Sequence, residues 1–185
     1  MALTGDALLA IWHDVAPDAQ ADYMEWHTRE HMPERVAIPG FSLGKRLINH
    51  DLSRQCYGTI YAGDSAEVFR APPYLERLNN PTRWTLQVQP SFRNFLRVAC
   101  DRLASRGAGE GGAVATIRLE FADAAGAQAL MAGAGALADA VLAVRGVCCS
   151  HVAIARHEVA SVRTRATDLR PAMGERSFDA PVIAA

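Results

Sequence analysis

Hydrophobic and polar positions divide the first hundred residues into strands and helices in the order strand, helix, strand, strand, helix, strand. This is the element order of a ferredoxin-like unit. Pro33 interrupts the first helix, so a further turn or a kinked continuation is expected after it, and Pro39-Gly40 fits a type II turn. The predicted strands are 7–15, 41–50, 55–62 and 91–103, and the predicted helical regions are 19–31, 65–80 (bent or restarted at Pro72-Pro73) and 84–88.

The same order begins again after a glycine-rich segment at 105–112, which lacks apolar periodicity and is predicted to be a linker. The helix exits of the two halves are alike, since Ile-Pro-Gly-Phe at 38–41 corresponds to Val-Arg-Gly-Val at 144–147, and this likeness suggests a duplication. No residues remain for a second helix and a fourth strand in the second copy, so either that part is missing or another chain completes the sheet. The elements predicted there are strands at 114–121, 147–155 and 178–184 and a helix at 124–143. We therefore predict a ferredoxin-like repeat at 1–104, a linker at 105–112 and an incomplete repeat at 113–185.

Composition narrows the class of protein. The 185 residues include 19 Lys and Arg against 20 Asp and Glu, and 50% are hydrophobic, which is typical of a chain that buries a core. These near-equal numbers of basic and acidic residues give no sign of a positively charged surface that would bind nucleic acid or an anionic membrane. The start of the chain lacks a basic leader, and no apolar stretch approaches the roughly 20 residues of a membrane span. The 4 cysteines form no CxxC pair, so we expect reduced thiols in a cytoplasmic protein that binds neither nucleic acid nor membrane.

The first helix carries the densest concentration of chemically active side chains. His27 and His31 are one turn apart, so both imidazoles can point the same way, and imidazole suits proton transfer near neutral pH or metal ligation. Residues 27–31 also satisfy the HxxEH pattern of some zinc proteases, but no third ligand lies at a convincing spacing, so we predict no metal. A purely structural alternative leaves one histidine exposed and the other packed beside Trp26. The equivalent helix of the second half, 127–143, has no His, Trp, Tyr or Arg, which favours a functional site in the first half.

Residues 23–35 and the following Ile-Pro-Gly-Phe at 38–41 resemble the dimeric α+β barrel superfamily, and within it EthD-like proteins of uncharacterised bacterial families. These share an aromatic–x–x–Glu–His–x–Pro–Glu–Arg helix end and a Pro-Gly-Phe turn into the next strand. The superfamily includes cofactor-free monooxygenases, muconolactone-type isomerases and haem enzymes, so the resemblance does not fix the reaction.

The resemblance implies a pocket between the first helix and the sheet. His31 lies in the matched motif and is the first candidate for a general base or substrate anchor, His27 is the second, and Glu30 would orient an imidazole. Strand alternation places Tyr57 and Tyr61 on one face, which makes them the better pair of strand candidates. The candidate substrate-binding residues are Trp26, Tyr57, Tyr61, Arg46, Asn94 and Trp84, with Trp26 as a wall of the pocket and Trp84 closing it.

The resemblance also implies that two ferredoxin-like units pack their sheets together as a barrel, which here gives an α+β pseudo-dimer within one chain. The strand at 91–103 is partly apolar on both sides, as is expected for a strand that is buried on both faces of its sheet. Its alternation predicts one face of Phe92, Asn94, Leu96, Val98 and Cys100 and an opposite face of Arg93, Phe95, Arg97 and Ala99. The shortened second half leaves a sheet edge incomplete, so a homodimer is expected as well.

These features predict a small cofactor-independent enzyme that acts by proton transfer on an apolar or aromatic catabolite, as an isomerase, lyase or oxygenase. The alternative is a non-catalytic ligand-binding or accessory protein of a degradative pathway. An enzyme should bury a perturbed histidine in an apolar pocket, whereas an accessory protein should leave His27 and His31 facing solvent. No cofactor is predicted, although haem stays open because several histidines could ligate it.

Overall fold

The computed structural model describes residues 3–160, 162–171 and 177–185. Antiparallel strands form one sheet in the order β2-β3-β1-β4-β6-β7-β5. The strands are β1 (Ala7–Val15), β2 (Phe41–Ile48), β3 (Tyr57–Gly63), β4 (Phe92–Gly107), β5 (Ala115–Leu119), β6 (Cys149–Ala155) and β7 (Ala180–Ala184). The helices are α1 (Gln20–Trp26), α2 (Met32–Val36), α3 (Pro72–Asn79), α4 (Arg83–Val88), α5 (Ala124–Leu142), α6 (His157–Ala160) and α7 (Arg165–Asp168).

The first half has the predicted ferredoxin-like architecture. Its strands lie in the order β2-β3-β1-β4, with β1 in the middle pairing antiparallel to both β3 and β4. The helices α1 and α2 connect β1 to β2, and α3 and α4 connect β3 to β4. Every one of the seven residues of β3 is buried, because helices cover one of its faces and the second half contributes to the cover of the other.

The second half repeats only part of this arrangement. Its strands lie in the order β6-β7-β5, with α5 connecting β5 to β6. These positions correspond to the second, third and first strands of a ferredoxin-like unit. No fourth strand follows among the described residues, so the predicted α+β fold of two ferredoxin-like units, the second incomplete, is confirmed.

The two halves are joined through β4, whose 16 residues pair with β1 along the first part and with β6 along the last. This length corrects the predicted linker, because the strand continues to Gly107, three residues into that segment. One face of the sheet forms a core that both halves share, in which Leu8 and Val98 pack with Cys149 and Ile183. The part of the sheet from the first half therefore packs face to face with the part from the second half, within one chain.

The barrel is open between β2 and β5, since no ladder pairs these two strands within the described ranges. This is the place that a fourth strand of the second half would fill. An ion pair between Lys45 on β2 and Glu110, in the segment before β5, spans the gap.

The turn that ends the first helical connection occurs twice, as the sequence predicts. Gly40 has a φ of +90° and Gly146 a φ of +96°, values that glycine adopts without strain. In each turn the residue after the glycine donates a backbone hydrogen bond three residues back, from Phe41 to Ile38 (3.0 Å) and from Val147 to Val144 (3.1 Å). The geometry is that of a type II turn.

A β-bulge in β4 overturns the predicted alternation of that strand. The register against β1 shifts between Trp12, which faces Leu96, and Asp14, which faces Arg93, and Asn94 has a φ of +49°. The extra residue turns Phe92 to the helical side of the sheet, where it packs in the cluster that contains Trp26. Phe92 therefore does not share a face with Leu96, as strict alternation predicted.

Helix α5 is 19 residues long and apolar enough, by length and composition alone, to cross a membrane, which corrects the expectation that no stretch approaches that length. Its contacts are those of a helix that covers a sheet. Leu130, Ala134 and Ala138 are buried in a cluster with β6 and β7, and Asp139 on the exposed side pairs with Arg106 at 2.7 Å.

Candidate active site

The helix that carries the candidate histidines contains a π-helical turn. The turn spans His27–His31, between α1 and α2, and the backbone N–H of Met32 donates to the carbonyl oxygen of His27, five residues back. Pro33 has no N–H to donate to the preceding turn, so a wider turn just before it removes the conflict with a continuous α-helix. The wide turn brings His31 onto Trp26, also five residues back, with ring centroids 4.3 Å apart.

The Trp26 indole is held in place by a polar cluster. Its Nε1 donates to Glu30 Oε1 at 3.1 Å and to the Thr85 hydroxyl at 3.2 Å. The hydroxyl of Thr82, the N-cap of α4, also donates to Glu30. Glu30 therefore orients the indole that packs against His31. The described contacts do not place Glu30 against an imidazole, as the sequence suggested.

Three histidines lie on the buried side of this helix and of β1. His27 is 3% exposed, and its Nε2 lies 3.2 Å from the hydroxyl of Thr59 on β3. His13 is 2% exposed, and its Nε2 lies 3.1 Å from the hydroxyl of Tyr23. The Nδ1 atom of His31 is buried and has no hydrogen-bond partner among the described residues.

Burial keeps these imidazoles neutral. It lowers the pKa of His13 to about 4 and that of His27 to about 3. Burial, followed by the positive charge of Arg35, lowers the pKa of His31 well below 6.5. A neutral imidazole with its hydrogen on Nε2 presents Nδ1 as a proton acceptor.

The Tyr61 hydroxyl is the second unpartnered polar group. Tyr61 is 1% exposed, and its hydroxyl has no hydrogen-bond partner within the described part of the chain. Burial raises the pKa of Tyr61, so the hydroxyl keeps its proton and can act as a donor. An unsatisfied buried donor and acceptor on one cavity wall are unusual in a core and typical of a site that receives a ligand.

These groups line a cavity between the helices and the sheet of the first half. Its volume is about 40 Å³, room for a few water molecules. Most of its wall is aromatic or aliphatic. The rings of Phe92 and Phe95 stack there with centroids 5.8 Å apart. The segment between β6 and β7 crosses from the second half and contributes Val159 and Arg170.

Three arginines also line the cavity, and no Asp or Glu side chain does so among the described residues. Arg35 and Arg97 place their guanidinium carbons 5.7 Å and 5.9 Å from the ring centroid of Tyr74. Arg170 lies 4.0 Å from the ring centroid of Phe95 and donates from Nε to Gln89 at 2.7 Å. Burial alone would raise the pKa of Tyr74, but the positive charges of Arg97 and Arg35 lower it.

The structure brings His27, His31, Trp26 and Tyr61 together at this cavity and places the other sequence candidates outside its wall. The remaining candidates have structural contacts. Arg46 donates to the Met24 carbonyl oxygen at 3.2 Å, Asn94 donates to Asp14 at 2.7 Å, and Trp84 donates to Asp22 at 2.8 Å. Tyr57 shares a strand face with Tyr61, as predicted, and packs at a centroid distance of 4.9 Å against Tyr23.

Sequence reasoning missed His13 and the three arginines. His13 lies two positions after Ile11 on β1, and both residues line the cavity, so strand alternation could have found it. Arg35, Arg97 and Arg170 come from three separate segments, and no local pattern signals that they meet.

Metal binding has no support in the described residues, where no group of three or more His, Cys, Asp or Glu side chains could hold a metal ion. The ring centroids of His27 and His31 are 5.3 Å apart, and the described part of the chain places no third ligand beside them.

Comparisons with known proteins identify the fold. A Fusobacterium nucleatum protein described as a candidate monooxygenase matches over 98% of this chain and 76% of its own, with a TM-score of 0.55 and 8% identity. An anthrone oxidase-like protein matches over 96% of this chain and 71% of its own, with a TM-score of 0.59 and 11% identity. The fold is that of the dimeric α+β barrel proteins. At these identities the likeness establishes the fold alone. No protein-family model and no curated protein sequence matches the chain.

Proposed function

We propose that this protein is a small cofactor-independent enzyme that takes a proton from an apolar or aromatic substrate, with His31 as the base. The observation that carries the proposal is the pair of unpartnered groups in the cavity, the Nδ1 atom of His31 and the hydroxyl of Tyr61. One is an acceptor poised to take a proton, and the other is a donor that can stabilise the negative charge left on the substrate. The EthD-like relationship within the superfamily is part of this proposal.

The depressed pKa of His31 makes its imidazole a weak base in the empty cavity. The bound substrate must therefore stabilise the protonated imidazole. Proton transfer creates an imidazolium beside a substrate anion, and the attraction between them is strong in a cavity from which water is largely excluded. The anion also lies near Arg35, Arg97 and Arg170, whose charges favour it. Trp26, clamped by Glu30 and Thr85, fixes the plane of the His31 ring during the transfer.

Among reactions that begin with proton loss, oxygenation is the one that the two structural neighbours favour by name. The substrate C–H bond breaks and its proton moves to His31 Nδ1, which leaves a delocalised carbanion. Addition of dioxygen gives a peroxide anion that takes the proton back from the imidazolium. The product is a hydroperoxide that contains all atoms of the substrate and of dioxygen. The substrate itself therefore supplies the electrons that reduce dioxygen.

The alternative of a non-catalytic binding protein has less support. That role predicted His27 and His31 facing solvent, whereas His27 is 3% exposed and Nδ1 of His31 is buried. The burial of His27 and of the Nδ1 atom of His31, together with the lowered pKa values of both histidines, matches the expectation for an enzyme.

Oxygen consumption tests the proposal. Purified protein is mixed with a series of electron-rich C–H and O–H acids, from hydroquinone to anthrone, in an oxygen-electrode cell without added cofactor. We expect uptake above the buffer rate with at least one compound, and a loss of about 10²-fold or more in His31→Gln. The matched control is His50→Gln, because His50 is exposed and lies outside the cavity wall. Equal rates in the two variants would reject His31 as the base.

A further inference from the structure

The charge of the cavity wall indicates what kind of ligand it accepts. Three arginine side chains line a small, mostly apolar space whose described lining residues include no carboxylate. Arg35 is 3% exposed and has a carboxylate partner outside the cavity wall, Glu34, at 3.1 Å. Its charge is therefore partly balanced, and the argument for a ligand depends mainly on Arg170.

No carboxylate pairs with Arg170 among the described residues, and its described direct contacts are neutral. Its Nε donates to the amide oxygen of Gln89, which is 2% exposed, and its guanidinium plane lies over Phe95. A guanidinium has five N–H donors, and the described acceptor takes one of them. The two terminal amino groups of Arg170 thus have no described protein acceptor at the cavity.

Other positive charges lie close to Arg170 and strengthen the preference of this place for an anion. Burial, followed by the positive charge of Arg97, lowers the pKa of Arg170 to about 10, so the side chain remains protonated at neutral pH beside another cation. Arg97 and Arg170 are partly buried, and bringing like charges together at such a place is unfavourable unless an anion joins them. A planar anion with two oxygens matches the guanidinium fork better than a single phenolate oxygen does.

We propose that the cavity binds an aromatic carboxylic acid, with the carboxylate on Arg170 and the ring against the aromatic part of the wall that Phe92 and Phe95 form. This inference deepens the proposed function and rests on it only for the reaction, since the binding can be measured without turnover. The bound carboxylate would also offset the arginine charges that act with burial on His31, so the ligand itself would make the base more effective. A ring does not fit in about 40 Å³, so binding must displace cavity side chains or the segment that carries Arg170.

Calorimetric titration with benzoate and with benzamide, which has nearly the same shape and no charge, tests the charge preference. We expect benzoate to bind at least about tenfold more tightly than benzamide to the unaltered protein. Arg170→Gln should remove about tenfold of the benzoate affinity and change benzamide binding little, while Arg170→Lys should keep part of the preference. The control is Arg163→Gln on the same segment, because Arg163 is 86% exposed and pairs with Asp168.

Equal affinities for benzoate and benzamide, or no saturable benzoate binding at millimolar concentrations, would overturn the inference. So would an Arg170→Gln protein that binds benzoate like Arg163→Gln. If Arg170→Gln fails to fold, the benzoate and benzamide comparison on the unaltered protein decides alone. Benzoate binding without oxygen uptake by any compound would instead reject the proposed function and leave this inference standing.

Discussion

Removing the Tyr61 hydroxyl should stabilise the protein while impairing its function. Tyr61 is 1% exposed, and its hydroxyl lacks a partner among the described residues, whereas in the unfolded chain it hydrogen-bonds to water. An unsatisfied buried group costs about 1–3 kcal/mol. The cavity of about 40 Å³ can admit water that recovers part of this energy. We therefore expect Tyr61→Phe to raise the free energy of unfolding by about 1 kcal/mol.

Tyr23→Phe is the matched comparison, because Tyr23 is equally buried but its hydroxyl lies 3.1 Å from His13 Nε2. Its loss leaves a buried imidazole nitrogen unpaired and should lower the free energy of unfolding by about 1–3 kcal/mol. Urea unfolding at pH 7 measures both variants, and thermal shifts should be about 2–4 °C per kcal/mol, upward for Tyr61→Phe and downward for Tyr23→Phe.

Turnover of Tyr61→Phe should fall about tenfold or more if its hydroxyl stabilises the substrate anion. The reasoning would be refuted if Tyr61→Phe destabilised the protein as much as Tyr23→Phe does. That result would mean that the Tyr61 hydroxyl is satisfied in the ligand-free protein.

Three further predictions concern the fold. Hydrogen bonds from Asn94, Cys56 and Gln55 outweigh the effect of burial and lower the pKa of Asp14. The ionised Asp14 carboxylate therefore contributes its full stabilisation above the unfolded pKa of about 3.9, and this stabilisation is lost as the pH falls through the folded pKa. The urea midpoints of Asp14→Asn and of the unaltered protein should differ at pH 7 and converge near pH 2. Gly40→Ala should destabilise more than Gly146→Ala in the same assay, because a Cβ at Gly40 would lie 2.7 Å from Val68 while one at Gly146 meets nothing within 4 Å. The positive φ costs about 1 kcal/mol at both sites, and equal losses would show that Val68 yields freely. Light scattering after size exclusion should show a homodimer, since β2 and β5 are open edges in the described structure, and a monomer of 20.0 kDa would contradict this.

The order of strands and helices was predictable because each element has a clear hydrophobic period. The duplication was visible for a similar local reason, since both halves need a glycine at positive φ to leave the helix, at Gly40 and Gly146. An incomplete second unit was predicted as well, and the described residues of that half form the three strands β5, β6 and β7.

Two local irregularities escaped prediction although they shape the site. Pro33 was expected to interrupt the helix, but its consequence is a π-helical turn that packs His31 against Trp26. The bulge at Asn94 turns Phe92 toward the helices, and strict alternation cannot anticipate an inserted residue. The first follows from the missing N–H of Pro33, and the second is defined only by the pairing of β4 with the distant strand β1.

The sequence predicted those residues of the candidate site that lie close together in one segment. It did not predict those that come from separate segments. His27 and His31 stand out because they lie four residues apart beside a tryptophan. The arginines at 35, 97 and 170 meet only because the segment between β6 and β7 crosses to the first half, and this crossing is not encoded in any local pattern.

Proton abstraction itself can be measured most directly by hydrogen–deuterium exchange in D₂O, followed by proton NMR, at the acidic C–H of the carbon acid that gives the fastest oxygen uptake. Anaerobic conditions separate the proton transfer from any reaction with oxygen. The account predicts exchange faster than in buffer alone, with the acceleration reduced about 10²-fold or more in His31→Gln and retained in His50→Gln. Exchange at the buffer rate, or equal acceleration by His31→Gln and the unaltered protein, would contradict the assignment of His31 as the base.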